Sequence, residues 1–248
     1  IRQRQVKFRW SVLLNNQRIG SLLSNDSKLV HKITVPPNKL RAGENTLSIV
    51  APKATDDIEV GPIQLASFSP ERLFSNILNV EIKDADNGEP LPCRITIVDE
   101  NGVLVPLHPE SEQRLAHRPG VIYVSNGQVS IGLLPGSYTV FASRGFEYSM
   151  AKKTVEISVK KLTNLQLELR REVPTPGLIA ADTHIHTLTR SGHGDSTEKE
   201  RMHTIAGEGI ELAVATDHNH HANYRPLQKI TGTSAFFTSV IGNEVTTK

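Results

Sequence analysis

Apolar positions along the chain change their rhythm twice. Up to about residue 65 they come in short alternating bursts. Val6, Phe8, Trp10, Val12 and Leu14 are separated by single residues of mixed polarity, the period of a half-buried strand. Asn15-Asn16 predicts a turn, Ile33-Thr34-Val35 runs into Pro36-Pro37, and Ala42-Gly43-Glu44-Asn45 precedes a strand over 46–50. Ile63-Gln64-Leu65 closes the segment, and a linker with Ser67, Ser69 and Pro70 follows. Turn dipeptides then recur at the spacing of a β-sandwich: Asn87-Gly88, Asn101-Gly102, Asn126-Gly127 and Pro135-Gly136. They separate strands expected at 80–82, 95–98, 121–124, 138–141, 155–159 and 165–169, an all-β domain. Pro174 and Pro176 mark a second linker. Beyond it, apolar runs at 178–181, 212–215 and 236–241 alternate with helical spacing at Met202, Ile205 and Ala206. Strand, helix, strand, helix, strand predicts a parallel β/α unit. The expected domains are 1–66, 74–172 and 177–248.

The length, 248 residues, suits two or three domains. Lys plus Arg number 28 against 26 Asp plus Glu, a balance that argues against a nucleic-acid binder. The one cysteine, Cys93, excludes an internal disulfide and every multi-cysteine zinc finger. It reads as structural, because no histidine lies close to it in sequence. No apolar run approaches the roughly 20 residues of a transmembrane helix. The chain opens at Ile1 without a signal peptide, and both ends read as incomplete. Seven of the 10 histidines fall between His184 and His221, which places any chemistry in the C-terminal quarter.

Each of the three apolar runs there ends in residues able to bind a metal. They are Asp182-Thr183-His184-Ile185-His186, then Thr216-Asp217-His218-Asn219, then Gly242-Asn243-Glu244. In parallel β/α folds the C-terminal strand ends open into one mouth, so separated motifs converge. His-x-His on a regular strand would aim its rings to opposite faces, so a bend at the strand end is expected. Imidazole nitrogen and carboxylate oxygen suit Zn²⁺, Mn²⁺ or Fe²⁺ without a thiolate. Asp217, beside His218, is placed to orient a ligand. Blander readings stand beside these. His184 and His186 are also compatible with ordinary loop histidines, Glu244 with a plain strand-end carboxylate, and Asp195 with a cap on the helix near Thr197. His203, inside that helix, reads as a surface position. His220 and His221 read as loop residues, and Arg190 as an exposed arginine or a contact for an anionic substrate.

Three stretches resemble known families. "LRAGENTLSIVAP" is similar to the closing part of a galactose-binding-like jelly roll, and "GLLPGSYTVFASRGFEY" to the carboxypeptidase regulatory-like, prealbumin-type β-sandwich. "ADTHIHTLTRSGHGD", "ATDHNHH" and "IGNEVTT" resemble the first three motifs of the PHP (polymerase and histidinol phosphatase) metallohydrolases. The "SGHGD" run after two β domains looks most like the carbaryl-hydrolase-like (CehA/McbA-type) branch. The resemblance implies a partial jelly roll, a prealbumin-type sandwich and the N-terminal part of a distorted (β/α)₇ barrel, the rest of the barrel lying outside this chain. It implies two or three divalent transition metals, Zn, Mn or Fe. His184 and His186 would hold the first, and Glu244 would bridge the first and second. His218 would serve a third with either His193 or Asp195. Metal-activated water would cleave an ester, carbamate or phosphoester, with Asp217 and Glu244 in the catalytic set. A contrasting expectation is an extracellular carbohydrate-binding or adhesion protein whose barrel is degenerate. The company of such β domains implies export, to a bacterial periplasm or beyond, and carbohydrate contact through the β domains.

Overall fold

The computed structural model describes residues 1–53, 57–65, 75–111 and 114–247; the linker expected around Ser67, Ser69 and Pro70 lies outside them. Six short strands come first: β1 (Arg2–Arg4), β2 (Ser11–Leu14), β3 (Gln17–Ser21), β4 (Leu29–Val30), β5 (Leu47–Val50) and β6 (Glu59–Val60). They form two three-stranded sheets, ordered β4-β1-β6 and β3-β2-β5. Asn15 and Asn16 both adopt positive φ, 51° and 64°, the backbone of a tight hairpin turn between β2 and β3. The long strand expected from Val6 to Leu14 is shorter, because Gln5 turns to φ 57° and the Trp10 N–H bonds back to the Phe8 carbonyl. The residues 33–35 and 63–65 are likewise irregular.

The middle of the chain folds as a β-sandwich. Its strands are β7 (Ile77–Asp84), β8 (Cys93–Asp99), β9 (His108–Pro109), β10 (Leu115–Arg118), β11 (Val121–Val124), β12 (Gln128–Gly132), β13 (Gly136–Ser143), β14 (Ala151–Ile157) and β15 (Leu162–Leu169). One sheet runs β10-β11-β8-β13-β14, the other β15-β7-β12-β9. Inward positions at alternate residues (Leu78, Val80 and Ile82 on β7; Cys93, Ile95 and Ile97 on β8) form the core between them. Burial pushes the Cys93 thiol up to about 12, so it stays a small inert core group.

The last stretch is a parallel three-stranded sheet, β16-β17-β18, made of β16 (Ala181–Ile185), β17 (Leu212–Ala215) and β18 (Thr238–Ile241). Its helices are the single turn α1 (Leu188–Ser191), α2 (Glu198–Gly207) and α3 (Arg225–Thr231). Strand β16 begins three residues later than the apolar run 178–181 suggested, with Leu178 and Ile179 exposed in the approach to it. Thr197, not Asp195, caps α2: its hydroxyl accepts from the Glu200 N–H while the Glu200 carboxylate accepts from the Thr197 N–H, a capping box.

Helix α2 is covered on two sides, and this corrects the surface reading of His203. Met202, Ile205 and Ala206 pack into the β/α core, while His203 and Gly207, one turn apart, face the sandwich. His203 is 0% exposed. Gly207 lets the helix approach closely, for a Cβ there would sit 2.8 Å from the Tyr123 ring and 3.0 Å from the Cys93 carbonyl oxygen. Buried Arg144 ties the same joint, donating to the Pro92 carbonyl at 2.7 Å and to the Ala206 carbonyl at the end of α2. The Tyr123 hydroxyl donates to Glu208 at 2.5 Å.

Candidate metal centre

The three strand ends of the β/α unit meet at one place. On β16 the register shifts: Asp182 pairs with Ala213 but Ile185 pairs with Ala215, so three steps on β16 answer two on β17. This extra residue bends the strand at Thr183-His184, and the Asp182 carboxylate accepts from the His184 N–H at 3.0 Å. The bend resolves the opposite-faces problem of His-x-His. His184 Nε2 and His186 Nε2 stand 2.8 Å apart, and each reaches Glu244 Oε2, at 2.8 and 2.9 Å.

The second and third strand ends are fastened together by Asn219. It adopts φ 53°, which asparagine tolerates better than most residues. Its N–H donates to the Glu244 carbonyl at 3.0 Å, and its side chain exchanges hydrogen bonds with the backbone of Thr246 at 3.0 and 3.1 Å. His218 therefore sits opposite Glu244 in a parallel bridge, its Nδ1 3.7 Å from Glu244 Oε2 and 2.7 Å from the Thr246 hydroxyl.

The loop after α1 supplies the last histidine. Gly192 and Gly194, at φ 71° and 84°, turn the chain so that His193 Nε2 lies 2.9 Å from His218 Nε2. Asp195, the other loop candidate, is not brought into the cluster; its carboxylate faces Arg118 at 3.5 Å. Nor does Asp217 reach the open side. It is 0% exposed and accepts at one oxygen from the Thr187 N–H, the Thr187 hydroxyl and the Ser191 hydroxyl, at 2.7, 2.9 and 2.7 Å. Arg190 pairs with Glu198 at 2.9 Å, and His221 lies 3.4 Å from the Asn243 amide. Sequence reasoning missed Thr187, Ser191, Asn219 and Thr246 as parts of the frame.

Among the described residues two groups of three have ligand atoms within 4.8 Å of one another: His184, His186 and Glu244, and His186, His193 and His218. Ligands about 2.0–2.1 Å from an ion and at right angles stand about 2.9 Å apart. The first group has that spacing, so its donors fit one face of a six-coordinate divalent ion. A neutral imidazole that donates from one nitrogen has a single lone pair to give, so His186 serves one ion only. The hydrogen bond from His184, and then the neighbouring imidazoles, hold the Glu244 carboxyl below its ordinary range. Partial burial lowers the His186 pKa, and the other three histidines lower it further against the opposing pull of Glu244. Both shifts favour the ligating forms, carboxylate and neutral imidazole.

A cleft of about 670 Å³ opens beside the cluster. His184, His186 and His193 line one wall, and the sandwich supplies His117, Arg118, Tyr123 and Phe146 to the other. A second groove, about 780 Å³, lies on the outer face of the β15-β7-β12-β9 sheet. Its amides largely satisfy one another, as in the Asn79–Asn164 contact at 3.0 Å and Gln128–Glu81 at 3.0 Å.

No protein-family profile matches the chain, and no curated protein matches it. Among solved structures it is similar to GBS52, a minor pilin of Streptococcus agalactiae, with 20% identity and TM-score 0.31 over 42% of this chain and 47% of that one. It is similar to BcpA, the major pilin of Bacillus cereus, with 10% identity and TM-score 0.30 over 67% and 56%. A further likeness is the shaft pilin SpaA of Lactobacillus rhamnosus GG, with 14% identity and TM-score 0.30 over 41% and 47%. The chain thus spans about half the length of these pilins. The β-sandwich rests on the strand pairing itself, and these likenesses add no argument about the site.

Proposed function

We propose that this protein is a metal-dependent hydrolase of the PHP type, carbaryl-hydrolase-like branch, cleaving an ester, carbamate or phosphoester. One observation carries the reading: His184, His186, His193, His218 and Glu244, drawn from three strand ends and one loop, converge within ligand distance of one another. In this reading β16, β17 and β18 are the first three strands of the (β/α)₇ barrel. His184, His186 and Glu244 would hold one divalent ion, and His193 and His218 would serve another.

When bound, such an ion lowers the pKa of a water and polarises the bond under attack. The chain's own residues do the rest. Glu244 and the histidines fix the ions, while Asp217 holds Ser191 and Thr187 behind them. The sandwich wall with Phe146 and Arg118 encloses the substrate side of the cleft. Export to a bacterial periplasm or the cell exterior goes with this reading. Among the described residues no helix is long and apolar enough to cross a membrane.

The test is a hydrolysis screen of nitrophenyl esters, carbamates and phosphoesters on protein stripped by chelator and reloaded with Zn²⁺, Mn²⁺ or Fe²⁺. Turnover that disappears on stripping and returns on reloading is expected. Equal rates in stripped and loaded protein would overturn the proposal.

A further inference from the structure

We infer that Arg118, a residue of the sandwich, is the positioning residue for His193, so that the metal centre is completed across the joint between the sandwich and the β/α unit. The loop that carries His193 has little else to hold it. Gly192 and Gly194, at φ 71° and 84°, sit in open space: a Cβ at either would meet no atom within 4 Å. Behind His193 the loop is tied where the Gly192 N–H donates to the Leu188 carbonyl at 3.2 Å. Ahead of it, the Ser196 carbonyl accepts from the Leu188 N–H at 2.8 Å. Between these ties, and apart from the adjacent Ser196 hydroxyl, residues 193–195 reach the rest of the described chain at two places. His193 meets the rings of His186 and His218, and Asp195 meets Arg118. The imidazole nitrogens are the atoms an ion would take. Arg118 is the hold that stays in place whether or not an ion is there.

Arg118 is itself firmly placed. It ends β10, and Pro119-Gly120 turns the chain back into β11, with Arg118 paired to Val121. Gly120, at φ 71°, is pressed against the chain beneath, where a Cβ would lie 2.9 Å from the Leu104 Cα, so the hairpin end is fixed. From there the guanidinium fans out. One terminal nitrogen donates to the His117 carbonyl at 2.6 Å and to Glu200 Oε1 at 2.9 Å. The other donates to the Asp195 carbonyl, and Nε stands 3.5 Å from the Asp195 carboxylate. A planar guanidinium carries five N–H donors in fixed directions, so it serves several acceptors at once where an ammonium would act as a point charge. Glu200 is fixed in turn, because its second oxygen is held in the capping box of α2. Arg118 therefore joins a rigid hairpin to the start of α2 and to the loop, which it grips by main chain and carboxylate together. The placing of the loop follows from these contacts; its use, presenting His193 with His218 to a second ion, rests on the proposed function.

The experiment uses the full chain, ¹⁵N-labelled and metal-free. Backbone relaxation reads the order of residues 192–196. In the wild type their order parameters are expected to match those of α2, about 0.85; in Arg118→Met, which keeps the stem and loses the fork, they should fall toward about 0.6. Glu200→Gln keeps an oxygen for the capping box and leaves the loop arm of Arg118 intact, so loop order should be unchanged. Calorimetric titration with Zn²⁺ or Mn²⁺ then reads the sites. In Arg118→Met one equivalent should bind as in the wild type and the other about 10-fold more weakly. A wild-type loop already disordered overturns the inference, even if Arg118→Met does not fold. So does a folded Arg118→Met whose loop keeps its order, or an affinity loss shared equally by both ions. A loop loosened as much by Glu200→Gln also overturns it, for Arg118 would then be a clamp on α2 alone. A loop that loosens as expected in a protein whose wild type takes up no metal leaves Arg118 as the holder of the loop and removes the proposed function.

Discussion

Acid should weaken this fold through His203, and the size of the effect follows from its surroundings. The ring is 0% exposed, and neither nitrogen has a hydrogen-bond partner among the described residues. Desolvation by burial, with the neighbouring Lys199 adding to it and Glu200 opposing it, lowers the pKa from 6.5 to about 4. Between those values the unfolded chain binds a proton that the folded chain refuses, so stability falls as pH falls. Each pKa unit corresponds to about 1.4 kcal/mol, which gives a loss of about 2 kcal/mol by pH ~5 and about 3 kcal/mol once pH drops below ~4. His203→Leu removes this dependence. It also removes an unpaired buried imidazole, each orphaned group of which costs about 1–3 kcal/mol. The variant should therefore match or exceed wild-type stability near neutrality and pull ahead as pH drops. Urea unfolding followed by circular dichroism across that range measures the gap, and groups common to both proteins cancel. Stability curves that stay parallel from neutral to acid pH would refute a buried, neutral His203.

Two further substitutions probe the frame around the site. Gly207→Ala should gain about 1 kcal/mol of helix propensity yet destabilise the protein, because the new methyl meets Tyr123 at 2.8 Å and the Cys93 carbonyl at 3.0 Å; denaturant midpoints give the sign, and a net gain in stability would contradict the close approach of α2. Thr197→Ala should cost about 1 kcal/mol through loss of the capping box, read in the same assay, with Thr197→Ser restoring most of it.

The sequence pattern resolves some elements and not others, for physical reasons. The run 212–215 is strand β17 residue for residue, because it is apolar and cleanly bounded, and the helical spacing of Met202, Ile205 and Ala206 falls inside α2, whose start is fixed by the Thr197 capping box. Three sandwich strands, β9, β10 and β12, went unread: β9 is two residues long, and β12 offers only Val129 and Ile131 as alternating apolar positions. His203 misled because a helix with one apolar stripe predicts one buried face, and α2 is buried on two. At the site, His184, His186, His218 and Glu244 stood out as ligand types at strand ends. The competition between His193 and Asp195 had no sequence answer. Two glycines frame the loop, and their φ values decide which side chain turns inward. Ser191 and Asn219 gave no sequence signal of their own. A serine or asparagine is common in any loop, and their roles exist only once Asp217 and Thr246 stand opposite them.

Metal content measured by mass spectrometry tests the central claim most directly. The protein is purified without chelator or metal-affinity resin, beside a His184→Ala/His186→Ala double variant. Because His184, His186 and Glu244 form one group of donors and His193 and His218 a second pair beside it, about two equivalents of Zn, Mn or Fe are expected in the wild type. The double variant should hold clearly less. A folded wild-type protein with no bound transition metal would contradict the account and leave the β domains as the carriers of function.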